Sequence, residues 1–171
     1  FKRAVELRKK PDFSKRFEEF INRNLFGEIS RGGTGSVMLK GFCYFYGFLF
    51  EEDKQKAAKC FLQSGTREGL VLYGRCCYNG IGVPFDLDNA WACFSEAADM
   101  GDTWGMIELG HMNEFGQGGH EVDRETASDL YKHAEWSGNG EGRVRWRKLH
   151  GLTEAFAQTA IARLNGWFCV S

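Results

Sequence analysis

The chain has 171 residues, 43% of them hydrophobic, which is enough for one sizeable folded array and too few for two large domains. Only two prolines and no low-complexity run argue against disorder, and no apolar run approaches a bilayer-spanning length, so membrane insertion is not expected. The formal net charge of −1 hides an asymmetry, because Phe85 to Glu135 holds twelve acidic residues against Arg124 and Lys132 while Phe1 to Arg16 holds seven basic residues against Glu6 and Asp12; a uniform nucleic-acid-binding face is disfavoured.

A basic opening, Phe1 to Lys10, is interrupted by Pro11. Phe13, Phe17, Phe20, Ile21 and Leu25 then recur at helical spacing until Gly27, which predicts one or two N-terminal capping helices over residues 1–33. The run Arg31-Gly-Gly-Thr-Gly-Ser36 superficially suggests a phosphate loop. It lacks the Lys-Ser/Thr ending, and no buried-strand pattern precedes it, so it reads as a connecting turn.

From there the chain repeats. Gly41 and Gly47 return as Gly74 and Gly80 and again as Gly110 and Gly116, with periods of 33 and then 36 residues. Each pair is followed by Asp53, Asp86 or Asp123, by Ala57, Ala90 or Ala127, and by an aromatic, Phe61, Phe94 or Tyr131. A period of this size marks stacked supersecondary units. In the second copy, helix A is predicted from about Thr66 to Asn79 and helix B from Asp86 or Asp88 to Met100, with a Gly80–Pro84 turn between them. Gly74 and Gly110 inside helix A imply close approach of a neighbour. Gly80 and Gly116 supply a left-handed cap, and the aspartates cap helix B.

These residues resemble Sel-one-like repeats (SLR), relatives of the tetratricopeptide repeats. The second copy carries the pattern on Gly69, Gly74, Gly80-Ile-Gly-Val83, Asp86, Ala90, Phe94, Ala97, Ala98, Gly101 and Gly105. The third keeps Gly105, Leu109, Gly110, Gly116, Asp123, Ala127, Tyr131, Ala134, Gly138 and Gly142, with one residue inserted before Asp123. The first lacks the second turn glycine and is about a helical turn short between Phe61 and Gly69. The resemblance implies an all-α fold, an α/α superhelical solenoid of helix pairs with helical caps at both ends. Its repeats would span 34–68, 69–104 and 105–142, followed by a degenerate repeat and C-terminal cap over 143–171 that includes a helix from Leu152 to Leu164.

Cys43 and Cys76 share one register position, as do Cys60 and Cys93, and the third copy places Met112 and Leu130 there. Positions that accept Cys, Met and Leu are packing positions, so reduced cysteines in an intracellular compartment are favoured. The competing reading, implied by a cysteine-rich secreted branch of the family, is a Cys43–Cys60 and a Cys76–Cys93 bridge in an oxidising compartment. No Cys-x-x-Cys occurs, His111, His120, His133 and His150 form no ligand motif, and neither a metal nor a cofactor is expected. Glu108, Glu114 and Asp129 read as a solvated acidic face rather than as a catalytic pair.

With no catalytic constellation in view, the chain reads as a non-enzymatic scaffold or adaptor that binds a protein or peptide on the concave side of a solenoid. Helical phase nominates Tyr44, Arg75, Tyr78, Trp104, Glu108, His111 and Asn113 as partner-binding residues, and the acidic stretch favours a basic partner segment. One alternative, implied by the resemblance, is a cysteine-rich β-lactam-binding or hydrolase-like protein, although Ser36, Ser64, Ser95, Ser128 and Ser137 have no paired base in any motif. Another is RNA contact through Arg143, Arg145, Trp146, Arg147 and Lys148. There the preferred reading is a solvated cap helix with Val144 and Trp146 turned inward.

Overall fold

The computed structural model describes residues 29, 30 and 32–151. Seven α-helices run through them, with no strand among the described residues: α1 (Thr34–Tyr46), α2 (Lys54–Gln63), α3 (Arg67–Asn79), α4 (Leu87–Asp99), α5 (Thr103–Phe115), α6 (Arg124–Trp136) and α7 (Gly140–Leu149). Helices α1, α3 and α5 are the A helices of three repeats, α2, α4 and α6 their B helices, and α7 opens a further A helix. Of the capping helices expected over residues 1–33, only Ile29 and Ser30 are described as helical, and the rest, like the helix expected from Leu152 to Leu164, lies outside the described residues.

Recurring polar contacts set the boundaries. Asp53, Asp86 and Asp123 each accept a hydrogen bond at 2.9 Å from a backbone N–H three residues on, those of Lys56, Asn89 and Thr126. Such a cap contributes about 1 kcal/mol. A second set stands before the A helices: Thr66 accepts from the Gly69 N–H at 3.0 Å, Asp102 from Trp104 and Gly105 at 2.8 and 2.9 Å, and Asn139 from Glu141 at 3.1 Å. Thr66 therefore lies one residue outside the helix predicted to begin with it.

The turn from A to B is built alike in all three copies. Gly47, Gly80 and Gly116 are left-handed, with φ of 64°, 65° and 61°. The next N–H, from Phe48, Ile81 or Gln117, reaches back to Cys43, Cys76 or Met112 at 2.8, 2.9 and 3.0 Å, which closes the carbonyls of the last helical turn. Two residues after the first glycine the chain is left-handed again, at Gly82 (φ 72°), Gly118 (φ 69°) and, in the first copy, Leu49 (φ 63°). The missing second glycine thus leaves the backbone unchanged and puts a leucine where left-handed geometry costs about 1–2 kcal/mol. Leu49→Gly should be more stable than Leu49→Ala by about 1 kcal/mol in urea unfolding, since both lose the same side chain and only glycine relieves the strain.

The chain divides into two compact units, one ending at Cys93 and the other beginning at Phe94. In the first, α1 and α3 both pack on α2, around Ala57, Ala58, Phe61 and Cys76. A β-carbon on Gly41 would sit 2.7 Å from Phe61 Cε1, so the helix A glycine makes room for the aromatic of its own helix B. With 10 residues, α2 is about a turn shorter than the 13-residue α4 and α6, as the compressed spacing before Gly69 predicts.

In the second unit, α6 packs on α5 and α7, and α5 also touches α7. Its core is Ile107, Ala127, Tyr131 and Ala134, with Met106, Trp146 and Leu149 against it. The first unit's device recurs, a β-carbon on Gly110 lying 2.7 Å from Tyr131 Cε1. Gly142 seats α7 on α6, where a β-carbon would lie 2.6 Å from the Tyr131 carbonyl oxygen. With Gly142, Trp146 and Leu149 facing α6, Val144 falls on the far side of the helix. It is 54% exposed, which corrects the inward placement expected for it.

Cys43, Cys60, Cys76, Cys77 and Cys93 are free thiols and all buried, which matches their register as packing positions; Cys169 lies outside the described residues. Burial pushes the Cys43 and Cys76 thiols up to about 11. A thiol whose pKa is raised by folding contributes stability below the unfolded value near 9, and that stability is lost as pH climbs from there towards 11. Between pH 8 and pH 10 each should cost about 1 kcal/mol of unfolding free energy. The Cys43→Ala, Cys76→Ala double variant should show a correspondingly flatter decline in urea titrations.

Candidate functional site

Between α1 and α3 lies a cleft of about 270 Å³. Its α1 wall is Phe42, Phe45 and Tyr46, its α3 wall is Leu72, Arg75, Cys76 and Asn79, Phe61 from α2 forms the floor, and Ile81 closes the end. The spacings i, i+3, i+4 on α1 and i, i+3, i+4, i+7 on α3 place these side chains on one stripe of each helix. Phe42 meets Phe61 edge to face at 5.3 Å between centroids, and Phe45 meets Tyr46 in the same way at 5.0 Å. Lys54 braces the α1 wall from behind: its ammonium lies 3.9 Å from the Phe45 ring centroid and donates to the Phe45 carbonyl. The Asn79 amide donates to the Arg75 carbonyl at 2.8 Å. Arg75 is the one charged residue in the lining.

Of the residues nominated from the sequence, Arg75 alone lines this cleft. Tyr44, on α1, stacks on Phe50 at 4.7 Å, with the Lys40 and Lys56 ammoniums 6.0 and 5.6 Å from its ring. Tyr78 is half-buried on α3, just outside the lining. Trp104, in the first turn of α5, is 46% exposed. Asn113 is engaged in structure: its amide donates to the Leu109 carbonyl at 2.9 Å, and its own carbonyl accepts from the Asp123 N–H at 2.9 Å.

Glu108, His111 and Glu114 on α5 are half-buried, where an acidic face in open solvent was expected for the two carboxylates. The Tyr131 hydroxyl donates to Glu114 Oε2 at 2.9 Å. Burial pushes the His111 imidazole down; Arg145 and Lys148 add to that shift, while Glu108 and Glu114 oppose it. The fold therefore brings acidic groups of α5 together with basic groups of α7. Arg145 is also paired with Glu141 at 2.9 Å. Arg143, Arg147 and Lys148 are exposed, and the Trp146 indole donates to Ser128 Oγ at 3.0 Å, so the aromatic of the basic cluster is taken up in packing. Two other serines are likewise engaged, Ser36 donating to Gly33 at 2.9 Å and Ser64 to Phe61 at 2.7 Å. Among the described residues no group of His, Cys, Asp and Glu could hold a metal ion, and no helix is long and apolar enough to cross a membrane.

Helix pairs repeated at this period define an α-helical repeat protein. The family model described as Sel1 repeat matches residues 41–68, 67–102 and 105–134, and the chain belongs to the Sel1 repeat family. Among solved structures it is similar to a protective antigen of uropathogenic Escherichia coli strains that displays an SLR fold, at 21% identity and a TM-score of 0.65 over 80% of this chain. The chain spans only 28% of that antigen. It is also similar to a Sel1 repeat protein from Oxalobacter formigenes, at 22% identity and a TM-score of 0.63, over 74% of this chain and 96% of the other. Both likenesses establish the shared fold. No curated protein matches the chain.

Proposed function

We propose that this chain is a non-enzymatic adaptor that holds a protein or peptide segment against its A helices within a larger assembly. The observation that carries the reading is the cleft between α1 and α3, where four aromatic rings and Arg75 converge. Rings and arginines are the residues that concentrate binding energy at protein interfaces. The family supports it, since Sel1 repeats typically mediate protein interactions. The acidic residues between Phe85 and Glu135 support a basic partner segment for the second unit, where Trp104 and Glu108 would contact it.

Affinity capture of the chain from the cells that produce it, with mass spectrometry, tests the proposal. Partners retained by the native chain should be lost with Arg75→Glu or Tyr78→Ala on the first unit, or with Trp104→Ala on the second. Partners indifferent to all three substitutions would contradict an interface on the A helices.

A further inference from the structure

Three asparagines of the chain stand before a glycine: Asn79, Asn139 and Asn165. The last lies outside the described residues. An asparagine so placed can lose its amide without an enzyme, because glycine has no β-carbon to keep its backbone nitrogen away from the side chain before it. The fold treats the two described pairs differently. Asn79 is the last residue of α3 and is exposed, as is Gly80 after it. Its amide donates to the Arg75 carbonyl at 2.8 Å, and the Gly80 N–H is shared between the Cys76 and Cys77 carbonyls, 3.4 Å from the second, a loose hold. Helical backbone at Asn79 sets the Gly80 nitrogen gauche to the β-carbon, within a modest swing of the side-chain carbonyl carbon. Asn139 is half-buried and tied at both ends of its side chain, Oδ1 accepting from the Glu141 N–H at 3.1 Å and the amide donating to Thr103 Oγ1 at 2.9 Å. Its extended backbone, with ψ of 105°, turns the Gly140 nitrogen away from that side chain.

We infer that Asn79-Gly80 is a site of spontaneous deamidation, which turns an amide in the wall of the α1–α3 cleft into a carboxylate. The Gly80 nitrogen gives up its proton to solvent base and attacks Asn79 Cγ; the new C–N bond closes a succinimide ring, the Cγ–Nδ2 bond breaks, and ammonia leaves. Water then opens the ring at either carbonyl, giving aspartate or isoaspartate. Because Asn79 lines the cleft, a negative charge appears there. The same charge falls at the C-terminus of α3, where the helix dipole opposes it, and a carboxylate has no proton to donate to the Arg75 carbonyl. Isoaspartate also adds a methylene to the main chain just before the left-handed Gly80 (φ 65°). Asn139 reacts more slowly, because it must give up two hydrogen bonds and undo the start of α7, whereas Asn79 gives up one.

Peptide mapping of the full chain by mass spectrometry, sampled over weeks in mildly alkaline buffer, reads both sites at once. Asn79 should gain the mass of amide-to-acid exchange about tenfold faster than Asn139, a barrier difference of about 1.4 kcal/mol, and fragmentation should find both aspartate and isoaspartate at that position. In guanidinium chloride, where the restraints of the fold are gone, the two sites should convert at similar rates. Asn79→Gln should abolish the gain at residue 79 and leave Asn139 as it was. Equal rates in the native chain, faster conversion of Asn139, or an Asn79 that keeps its amide while the unfolded chain converts overturns the assignment. Asn79→Asp, the unrearranged product, should unfold at a lower urea midpoint than the native chain; an equal midpoint would overturn the cost assigned to the charge at the end of α3.

Discussion

Gly82→Ala should destabilise the protein by about 3 kcal/mol, the largest effect expected of any single added methyl in the first unit. Two costs combine there. The residue is left-handed at φ 72°, which penalises alanine by about 1 kcal/mol. A β-carbon would also land on the carbonyl carbon and oxygen of Lys54, 2.8 Å from the backbone nitrogen of Gln55. Backbone at the start of α2 cannot step aside as a flexible side chain would, so the A-to-B turn of the second repeat would be levered off the first. Gly119→Ala separates the two costs, because Gly119 has the same φ of 72° with nothing within 4 Å of a β-carbon, and it should cost about 1 kcal/mol. Urea unfolding of the pair measures the difference. Equal losses would mean that this turn is not seated against Lys54.

Tyr131→Ala should cost about 4 kcal/mol, in the range for removing a buried aromatic ring. Tyr131 is fully buried and touches both Gly110 and the α7 seat at Gly142. Tyr131→Phe should cost about 1.5–3 kcal/mol, the worth of a hydrogen bond to a charged partner. The ring itself fits, since Phe61 and Phe94 hold the same register position; what is lost is the hydroxyl that donates to Glu114 at 2.9 Å. Burial, reinforced by that bond to Glu114, raises the phenol's pKa and keeps it protonated. In a Glu114→Leu background the phenylalanine substitution should therefore cost almost nothing, and a full penalty there would place the hydroxyl's contribution elsewhere.

The two substitutions show where sequence reasoning reached and where it stopped. The repeat was legible because each landmark does a local job that depends on few neighbours: Asp53, Asp86 and Asp123 cap a helix three residues away, and Gly80 and Gly116 end one. The caps at Thr66, Asp102 and Asn139 left an equally local signal, a glycine and then Thr, Asp or Asn before every A helix after the first, less uniform than the aspartates before the B helices. Leu49 left none, since its left-handed backbone is imposed by the turn around it. The outward turn of Val144 depends on the phase set when Gly142 docks on α6, a contact between helices that periodicity within α7 does not encode. The cleft was the least legible feature. Its walls use Phe42, Phe45 and Tyr46 where the next repeat has Arg75, Tyr78 and Asn79, positions the repeat leaves free to vary. Helical phase on the A helix reached Arg75; its aromatic partners across the cleft carry no signal in the sequence that separates them from ordinary core.

Core and candidate site share one ring. Phe61 is 1% exposed, admitted by Gly41 and flanked by Ala57 and Ala58, and its edge forms the floor of the cleft. Substitutions at Phe61 would thus confound stability with binding, whereas Arg75 and Leu72 on the opposite wall separate them.

The most direct test of an interface on the A helices is site-specific photo-cross-linking in the cells that produce the protein, with the cross-linker placed either at Tyr78 on α3 or at Lys59, an exposed position on α2. An adaptor that holds its partner along the A helices yields partner adducts from Tyr78 and none from Lys59; adducts from Lys59 with none from Tyr78 would contradict it.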